Sequence, residues 1–503
     1  MIKKVSVILV CISICYFTTA QGAIVSALYE NLSSTEPPPQ DYHSVWSSSS
    51  TGTHTYIAGP SSDKPNASWA ANQMFIVKYD NETMTPVDEV TFPVNGYPYF
   101  VRELDGKVYI GGVYSNNTSW NFKGFFWILD SSFNVLSQYD FNSYSVYDFT
   151  IANSKVYLIG SKHGSPRNVI VRKYDINMFF ENELVLPGSG NDYGWDVQYH
   201  TDGNIYIAGY TQNGISGYPG SPGDSYFVAQ IDNTLSAVND LIYVGGSGNE
   251  FYNDFDIVIN GNNLYLGAST ESTDMPGAVA STFKGEADAF VAMIDISGPL
   301  NILKTLYLGG TGSEMMRGDV FVGNSQGGYL YYGGYTTSTD FEEVPEVAVQ
   351  KNNAGGIDFF IAKVSFDLSG AIATYIGGAG NDISYAFSAD VIPGGDSYLF
   401  AAGFTNSSPF PDDPTGGLKK TVTQAAFLTR IDRIMVMKKG DVNDDNCVNG
   451  FDWSRLNTYL NNPNSEELEE WEFFVFDLDE DGDLDNDDLD ILKELMEPCK
   501  DKI

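Results

Sequence analysis

Histidine is nearly absent from this chain of 503 residues: His43, His54, His163 and His200 are the full complement. They lie far apart in sequence, and no pair has the spacing of a metal-binding helix or loop; H-E-x-x-H does not occur. Positive charge is also scarce, with 27 Lys and Arg against 65 Asp and Glu, a formal net charge of −38. Such a surface excludes nucleic acid and anionic lipid as direct partners and suits cations and basic proteins. Beyond residue 17 no apolar run is long enough for a membrane-spanning helix of about 20 residues. Cysteine is limited to Cys11, Cys15, Cys447 and Cys499.

The one apolar run stands at the start. "MIKKVSVILVCISICYFTTAQGA" places Lys3 and Lys4 before an apolar stretch from Val5 to Phe17, followed by small residues. This is the layout of a secretory signal peptide over 1–22, cleaved near Ala20 or Ala23. The mature chain is then extracellular and keeps only Cys447 and Cys499, which predicts a disulfide in its C-terminal part.

What the chain has in abundance is a repeat. Strand-like runs ending in Gly recur as "TYIAG" at Gly59, "VYIGG" at Gly112, "VYLIG" at Gly160, "IYIAG" at Gly209, "LYYGG" at Gly334 and "LFAAG" at Gly403. "LYLGA" supplies the remaining copy, with Ala268 at the Gly position. The mean spacing is about 57 residues. A second run follows each, as in "VIVRKYD" and "AFVAMID", and six of the seven end in Asp, which can hydrogen-bond its own turn. A third run and a short preceding one bring the count to four strands per copy. Apolar residues on both strand faces call for cover on both sides, which radial stacking of sheets supplies. The pattern predicts an all-β seven-bladed β-propeller over 23–435; a β-helix or two β-sandwiches are the rival architectures. The last copy lacks its fourth strand, and "AIVSALY", Ala23 to Tyr29, is predicted to complete it and close the ring. Copies such as "YVGGSGNEFYNDFDIVINGNNLYLGAST" resemble the SBBP-type β-propeller repeat, which implies a fold and no particular reaction.

The other abundance is acid. From Gly440 onward the chain carries 21 acidic and 4 basic residues. "GDVNDDNCVNGFDWSRLNTYL" and "FDLDEDGDLDNDDLDILKELM" each place oxygen-bearing side chains at alternate positions, then an Asp, then an apolar helical pattern. A twelve-residue loop wraps Ca²⁺ with oxygens at its first, third, fifth, seventh, ninth and twelfth positions, the seventh through its carbonyl. The first loop offers Asp441, Asn443, Asp445, Cys447 (carbonyl), Asn449 and Asp452. The second offers Asp477, Asp479, Asp481, Asp483 (carbonyl), Asp485 and Asp488. Two Ca²⁺ sites are therefore expected. Val448 and Leu484 take the eighth position, where the loops can pair, and Leu456, Tyr459 and Leu460 match Leu492, Leu495 and Met496 behind the loops. Asp at the twelfth position and the duplicated pattern make the segment 436–503 resemble a type I dockerin module, a small all-α calcium-binding unit. The resemblance implies a cohesin-bearing scaffold or surface protein as partner. Two features depart from the family: a long linker with "SEELEEWEFF", and a partner-contacting pair that is Gly450-Phe451 in one copy but Asn486-Asp487 in the other. The second weighs against symmetric, two-way binding.

No catalytic constellation is legible. Asp148, Asp196, Asp256, Asp319 and Asp390 recur at the first strands of five copies. They are read either as a channel-lining ligand ring or as a repeated structural hydrogen bond. Tyr193, Trp195, Phe251, Tyr252 and Tyr385 stand close before them, as a sugar-stacking platform at the channel mouth or as packing between sheets. The leading expectation is a secreted, non-catalytic binding or display protein that offers a polysaccharide or protein ligand a surface on the propeller and docks through its C-terminal module. The rival is a polysaccharide lyase or glycoside hydrolase with its site in the propeller funnel.

Overall fold

In the computed structural model of the chain the described residues are 24–29, 42–43, 45–62, 73–115, 122–220, 223–251, 255–279, 281–317, 321–323, 329–341, 343–344, 348, 350–391, 397–408, 410, 425–431, 440, 442, 448, 450–462, 476, 478 and 484–496. They form seven β-sheets, four of them four-stranded and three with a short fifth strand. The sheets follow the chain as blades: 42–92, 95–141, 144–186, 192–244, 256–308, 314–376, and 382–431 with 24–29. Blade 3 shows the plan, with Tyr144–Ala152, Lys155–Lys162, Asn168–Asp175 and Phe180–Leu186 pairing antiparallel in order. The first strands of successive blades pack beside one another and line the axis.

Each blade is apolar on both faces because each is sandwiched. In Lys155–Lys162, Leu158 packs toward blade 2 while the next residue, Ile159, packs toward blade 4. Seven hydrophobic clusters result, one at each junction between consecutive blades. The cluster that joins blade 7 to blade 1 includes Phe400, Ala402, Ala426 and Leu428 on one side and Val45, Ile57, Phe75 and Val77 on the other. Its presence closes the ring. Ile24–Tyr29 pairs antiparallel with Ala425–Ile431, from Ile24 opposite Ile431 to Tyr29 opposite Ala426, and so supplies the fourth strand the last copy lacks. Arg430 ties the same junction by donating to the Asn81 and Glu82 carbonyls.

The recurrent residues have local jobs. Asp80, Asp130, Asp175, Asp232 and Asp295 each accept backbone N–H groups of the turn that follows, as the turn-forming role of Asp requires. The recurrent Gly answers a close approach. A Cβ on Gly112, Gly160, Gly209, Gly334 or Gly403 would collide with a backbone carbonyl of the first strand, those of Tyr97, Ser145, Tyr193, Met315 and Ile383 respectively. In four of these blades that strand bulges at this point: between Pro98 and Phe100, Val146 and Asp148, Gly194 and Asp196, and Ser384 and Ala386. A bulge adds one unpaired residue and bends the strand, which presses its backbone onto the neighbour and leaves room only for Gly.

The register corrects one expectation. Asp148, Asp196 and Asp256 do occupy equivalent positions, opposite Ile159, Ala208 and Gly267. Asp390 does not: it pairs with Tyr398, and Ala386, opposite Ala402, takes the equivalent place. The first strand of blade 7 runs ten residues, Asp382–Val391, so an Asp near its end lies beyond the bulge. Asp319 lies outside the described residues.

Candidate functional site in the acidic module and at the propeller axis

In the C-terminal module, helices α1 (Gly450–Asn461) and α2 (Asn486–Leu495) each begin just before the last position of an acidic loop. Val442, Val448, Leu456, Phe476, Leu489 and Leu492 form its core, with Trp453, Leu460, Leu478 and Leu484 packed against it. Most of these are pairs at the same place in the two copies: Val442 with Leu478, Val448 with Leu484, Trp453 with Leu489, Leu456 with Leu492. Val448 and Leu484 at the eighth positions thus both serve the shared core, as the spacing predicted. Gly440, at a φ of +85°, sits where a Cβ would strike Leu492.

The twelfth-position carboxylates are held alike. Asp452 Oδ1 accepts the Val442 N–H at 2.8 Å, and Asp488 Oδ1 accepts the Leu478 N–H at 2.6 Å. Each bond runs from the second residue of a loop to its last, which folds the loop back on itself. Both Asp side chains are buried, at 0% and 1% exposure. Asp488 Oδ2 also accepts the Asp485 N–H, and Asp485 accepts from Asp487 N, a reciprocal cap on α2. A buried carboxylate at the last position of a loop whose sequence is rich in oxygen-bearing side chains fits a hard cation such as Ca²⁺. Of the expected ligands, Asp452, Asp485 and Asp488 are described. Asp441, Asn443, Asp445, Cys447, Asn449, Asp477, Asp479, Asp481 and Asp483 lie outside the described residues, as does Cys499. Phe451, one residue before Asp452, is 58% exposed.

In the propeller, the bulges place one extra residue per blade at the axis: Tyr99, Tyr147, Trp195 and Tyr385. Trp46 and Arg317 take the same place in blades 1 and 6, each donating its N–H to the residue before the recurrent Gly, Ala58 and Gly333. Phe255 stands there in blade 5, directly before Asp256. The side chains form a chain of contacts around the axis. Trp46 lies 5.9 Å from both Tyr99 and Tyr385, Tyr99 lies 5.0 Å from Tyr147, Tyr147 4.2 Å from Trp195, and Trp195 6.2 Å from Phe255. Tyr99 also reaches Trp195 at 5.8 Å, across one blade, so the rings narrow the channel. The Arg317 guanidinium lies 4.6 Å from the Tyr385 ring. All seven are half-buried except Tyr147, which is buried.

Beneath this ring runs a belt of carboxyls. Arg102 pairs with Asp148 at 2.8 Å. Asp148 Oδ2 accepts the Val197 N–H of blade 4, and Asp196 Oδ2 accepts the Ile257 N–H of blade 5. The carboxyls of Asp148, Asp196 and Asp256 also lie within hydrogen-bonding reach of one another in turn. Burial holds Asp148 and Asp196 well above the ordinary carboxylate range; Arg102 opposes this at Asp148, and the Asp256 carboxylate adds to it at Asp196. These are the repeated interblade hydrogen bonds that were one reading of the Asp series.

Of the five aromatics singled out in the sequence, Trp195 and Tyr385 join the ring. Tyr193 packs beside Tyr210 and Arg167, Phe251 donates its N–H to the Tyr226 hydroxyl, and Tyr252 lies outside the described residues. Trp46, Tyr99, Tyr147, Phe255 and Arg317 were not anticipated. The legible signal was the residue directly before each Asp of the series: "YD" at 147–148, "WD" at 195–196 and "FD" at 255–256. The histidines stay apart: His54 bonds to Thr53, His163 to Ser145, and His200 to the Gly261 carbonyl.

A closed seven-bladed propeller followed in sequence by a helical module of two matched acidic loops defines the class. Residues 439–497 match the family described as Dockerin type I domain, so the chain carries a dockerin type I domain at its C-terminal end. No curated protein matches the chain. Among solved structures, it is similar to a quinohemoprotein alcohol dehydrogenase, ADHIIG, from Pseudomonas putida HK5, at 10% identity and a TM-score of 0.41 over 82% of this chain and 76% of that one. It is similar also to the Neurospora crassa Pan2 WD40 domain, at 10% identity and a TM-score of 0.44 over 83% and 98%.

Proposed function

We propose that this is a secreted, non-catalytic binding protein whose dockerin domain, loaded with Ca²⁺ at two loops, fixes the propeller to a cohesin-bearing partner. The observation that carries the docking half is the matched pair Asp452 and Asp488, buried and bonded alike to the second residue of each loop. Bound Ca²⁺ would neutralise carboxylates that otherwise repel and so order each loop. Phe451 presents an exposed aromatic in one copy, where the other has Asp487, which favours one docking orientation over two.

The propeller half rests on the aromatic ring around the propeller axis, which offers a glycan or protein ligand stacking faces. What supports binding over hydrolysis is the state of two of the three acids in the belt. Asp148 and Asp196 are buried and occupied by Arg102, by backbone N–H groups and by each other, so neither stands open to protonate a glycosidic oxygen. The test is a polysaccharide screen on the full chain with binding and cleavage scored separately. Retention without new reducing ends or unsaturated products is expected. Cleavage of any retained polysaccharide would replace this reading with the enzymatic one.

A further inference from the structure

The geometry points to a neutral glycan as the ligand of the aromatic ring, an inference that rests on the ring being a binding surface. Trp46, Tyr99, Trp195, Phe255 and Tyr385 are each half-buried and come from five different blades. Four of them sit on bulges or on the hydrogen bond that replaces one. Side chains brought to one place by separate, repeated backbone irregularities are a built feature, and core packing accounts for only one of them: Phe255 packs against the cluster between blades 4 and 5, and the interblade clusters take in none of the other four.

Charge then selects the ligand class. The chain is strongly acidic, at −38 overall, and that field repels a polyanion. A uronate-rich or sulfated glycan is therefore disfavoured. An ammonium ligand would suit an aromatic cage, but that role is already filled from within: the Arg317 guanidinium stands 4.6 Å from Tyr385 and 5.9 Å from Tyr335. In the floor the Arg102 guanidinium is taken up by Asp148 at 2.8 Å and by the Phe149 carbonyl, which leaves a polyanion less to bind there. What remains is an uncharged ligand with apolar ring faces to stack and hydroxyls to accept from Arg317, Tyr and Trp donors. The C–H faces and hydroxyl rims of neutral hexopyranoses or pentopyranoses meet both needs.

The test uses the full chain in Ca²⁺ and four probes: cellohexaose, mannohexaose, xylohexaose and hexagalacturonate, followed by tryptophan fluorescence and calorimetry. At least one neutral hexasaccharide should bind and shift the Trp46 and Trp195 emission, and hexagalacturonate should bind at least tenfold more weakly. Trp195→Ala and Tyr385→Ala should each weaken the neutral ligand tenfold or more, and Arg317→Gln severalfold. Where an alanine variant loses its near-ultraviolet dichroism, Trp195→Phe and Arg317→Gln carry the comparison. Tighter binding of hexagalacturonate would overturn the neutral class while leaving the ring as the site. Neutral binding indifferent to Trp195, Tyr385 and Arg317 would overturn the site. No binding of any neutral probe at millimolar concentration would overturn the inference, and the broader reading would then stand or fall on the polysaccharide screen.

Discussion

Replacing Asp196 by Asn should make the propeller more stable at alkaline pH. Asp196 is 3% exposed; its Oδ2 accepts the Ile257 N–H at 2.9 Å, and among the described residues its Oδ1 has no donor other than a neighbouring carboxyl. Burial, then the Asp256 carboxylate, raise its pKa in the folded chain well above the value of about 3.9 expected when unfolded. A raised carboxyl binds more protons folded than unfolded. Its contribution is therefore fully present below pH of about 4 and is lost as pH rises through the folded value. Asp192 and Asp288, pushed up to about 6, and Asp358, to about 7, act in the same direction, each mainly through burial. Asparagine keeps the shape, accepts from Ile257 and donates an N–H to a neighbouring carboxylate at every pH. A buried hydrogen bond made where an acceptor was unsatisfied is worth about 1–3 kcal/mol. We expect Asp196→Asn to gain about that much at pH 8, with little gain at pH 4 and a flatter pH profile between. Asp196→Ala should lose about 1–3 kcal/mol throughout, because the buried Ile257 N–H is orphaned. Thermal unfolding of the full chain in Ca²⁺, followed by near-ultraviolet dichroism from pH 4 to 8, reads all three proteins. An Asn variant as damaged at pH 8 as the Ala variant would refute the reasoning, since it would mean that the site needs the negative charge.

Two further outcomes follow from the fold and a third from the sequence. A chain begun at residue 33 lacks Ile24–Tyr29, exposes the edge of Ala425–Ile431, and should melt lower or associate, as melting and light scattering would register; unchanged melting and a monomer would contradict closure. Gly160→Ala forces a Cβ against the Ser145 carbonyl and should cost about 1–3 kcal/mol in denaturant unfolding, whereas unchanged stability would mean that the bulge yields freely. A Cys447–Cys499 disulfide, expected from the sequence and spanning 52 positions, should add about 4 kcal/mol to the module in the chain-entropy account and protect both thiols from alkylation in protein produced under oxidising conditions; full labelling without reductant would exclude it.

Much of the architecture was legible because repetition averages out local ambiguity. Six Gly-ended runs and one ending in Ala268 fixed the blade count, and the missing fourth strand of the last copy pointed to Ile24–Tyr29. The paired apolar positions of the acidic module were legible for the same reason, since an offset common to Val448 and Leu484 is hard to misread. The axial ring was not legible. Strand residues alternate faces with period two, and a bulge breaks that period by one, so Tyr99 and Tyr147 read as ordinary sheet residues. The same irregularity misplaced Asp390, which matched the Asp series in its local neighbourhood but lies past the bulge in backbone pairing. Nor does sequence alone separate a structural carboxyl from a ligand-binding one; the bonds from Val197 and Ile257 to Asp148 and Asp196 do so.

The central claim is that Ca²⁺ shapes the dockerin domain and thereby controls attachment. It is tested most directly by calorimetric titration of the full chain against a panel of cohesins, in Ca²⁺ and in excess EGTA, beside Asp488→Ala. The account predicts that at least one cohesin binds in Ca²⁺ and that EGTA abolishes the binding reversibly. Asp488→Ala should weaken it at least tenfold, because both the Leu478 and Asp485 N–H groups lose their acceptor. Cohesin binding that is equally tight in EGTA, or that survives Asp488→Ala unchanged, would contradict it.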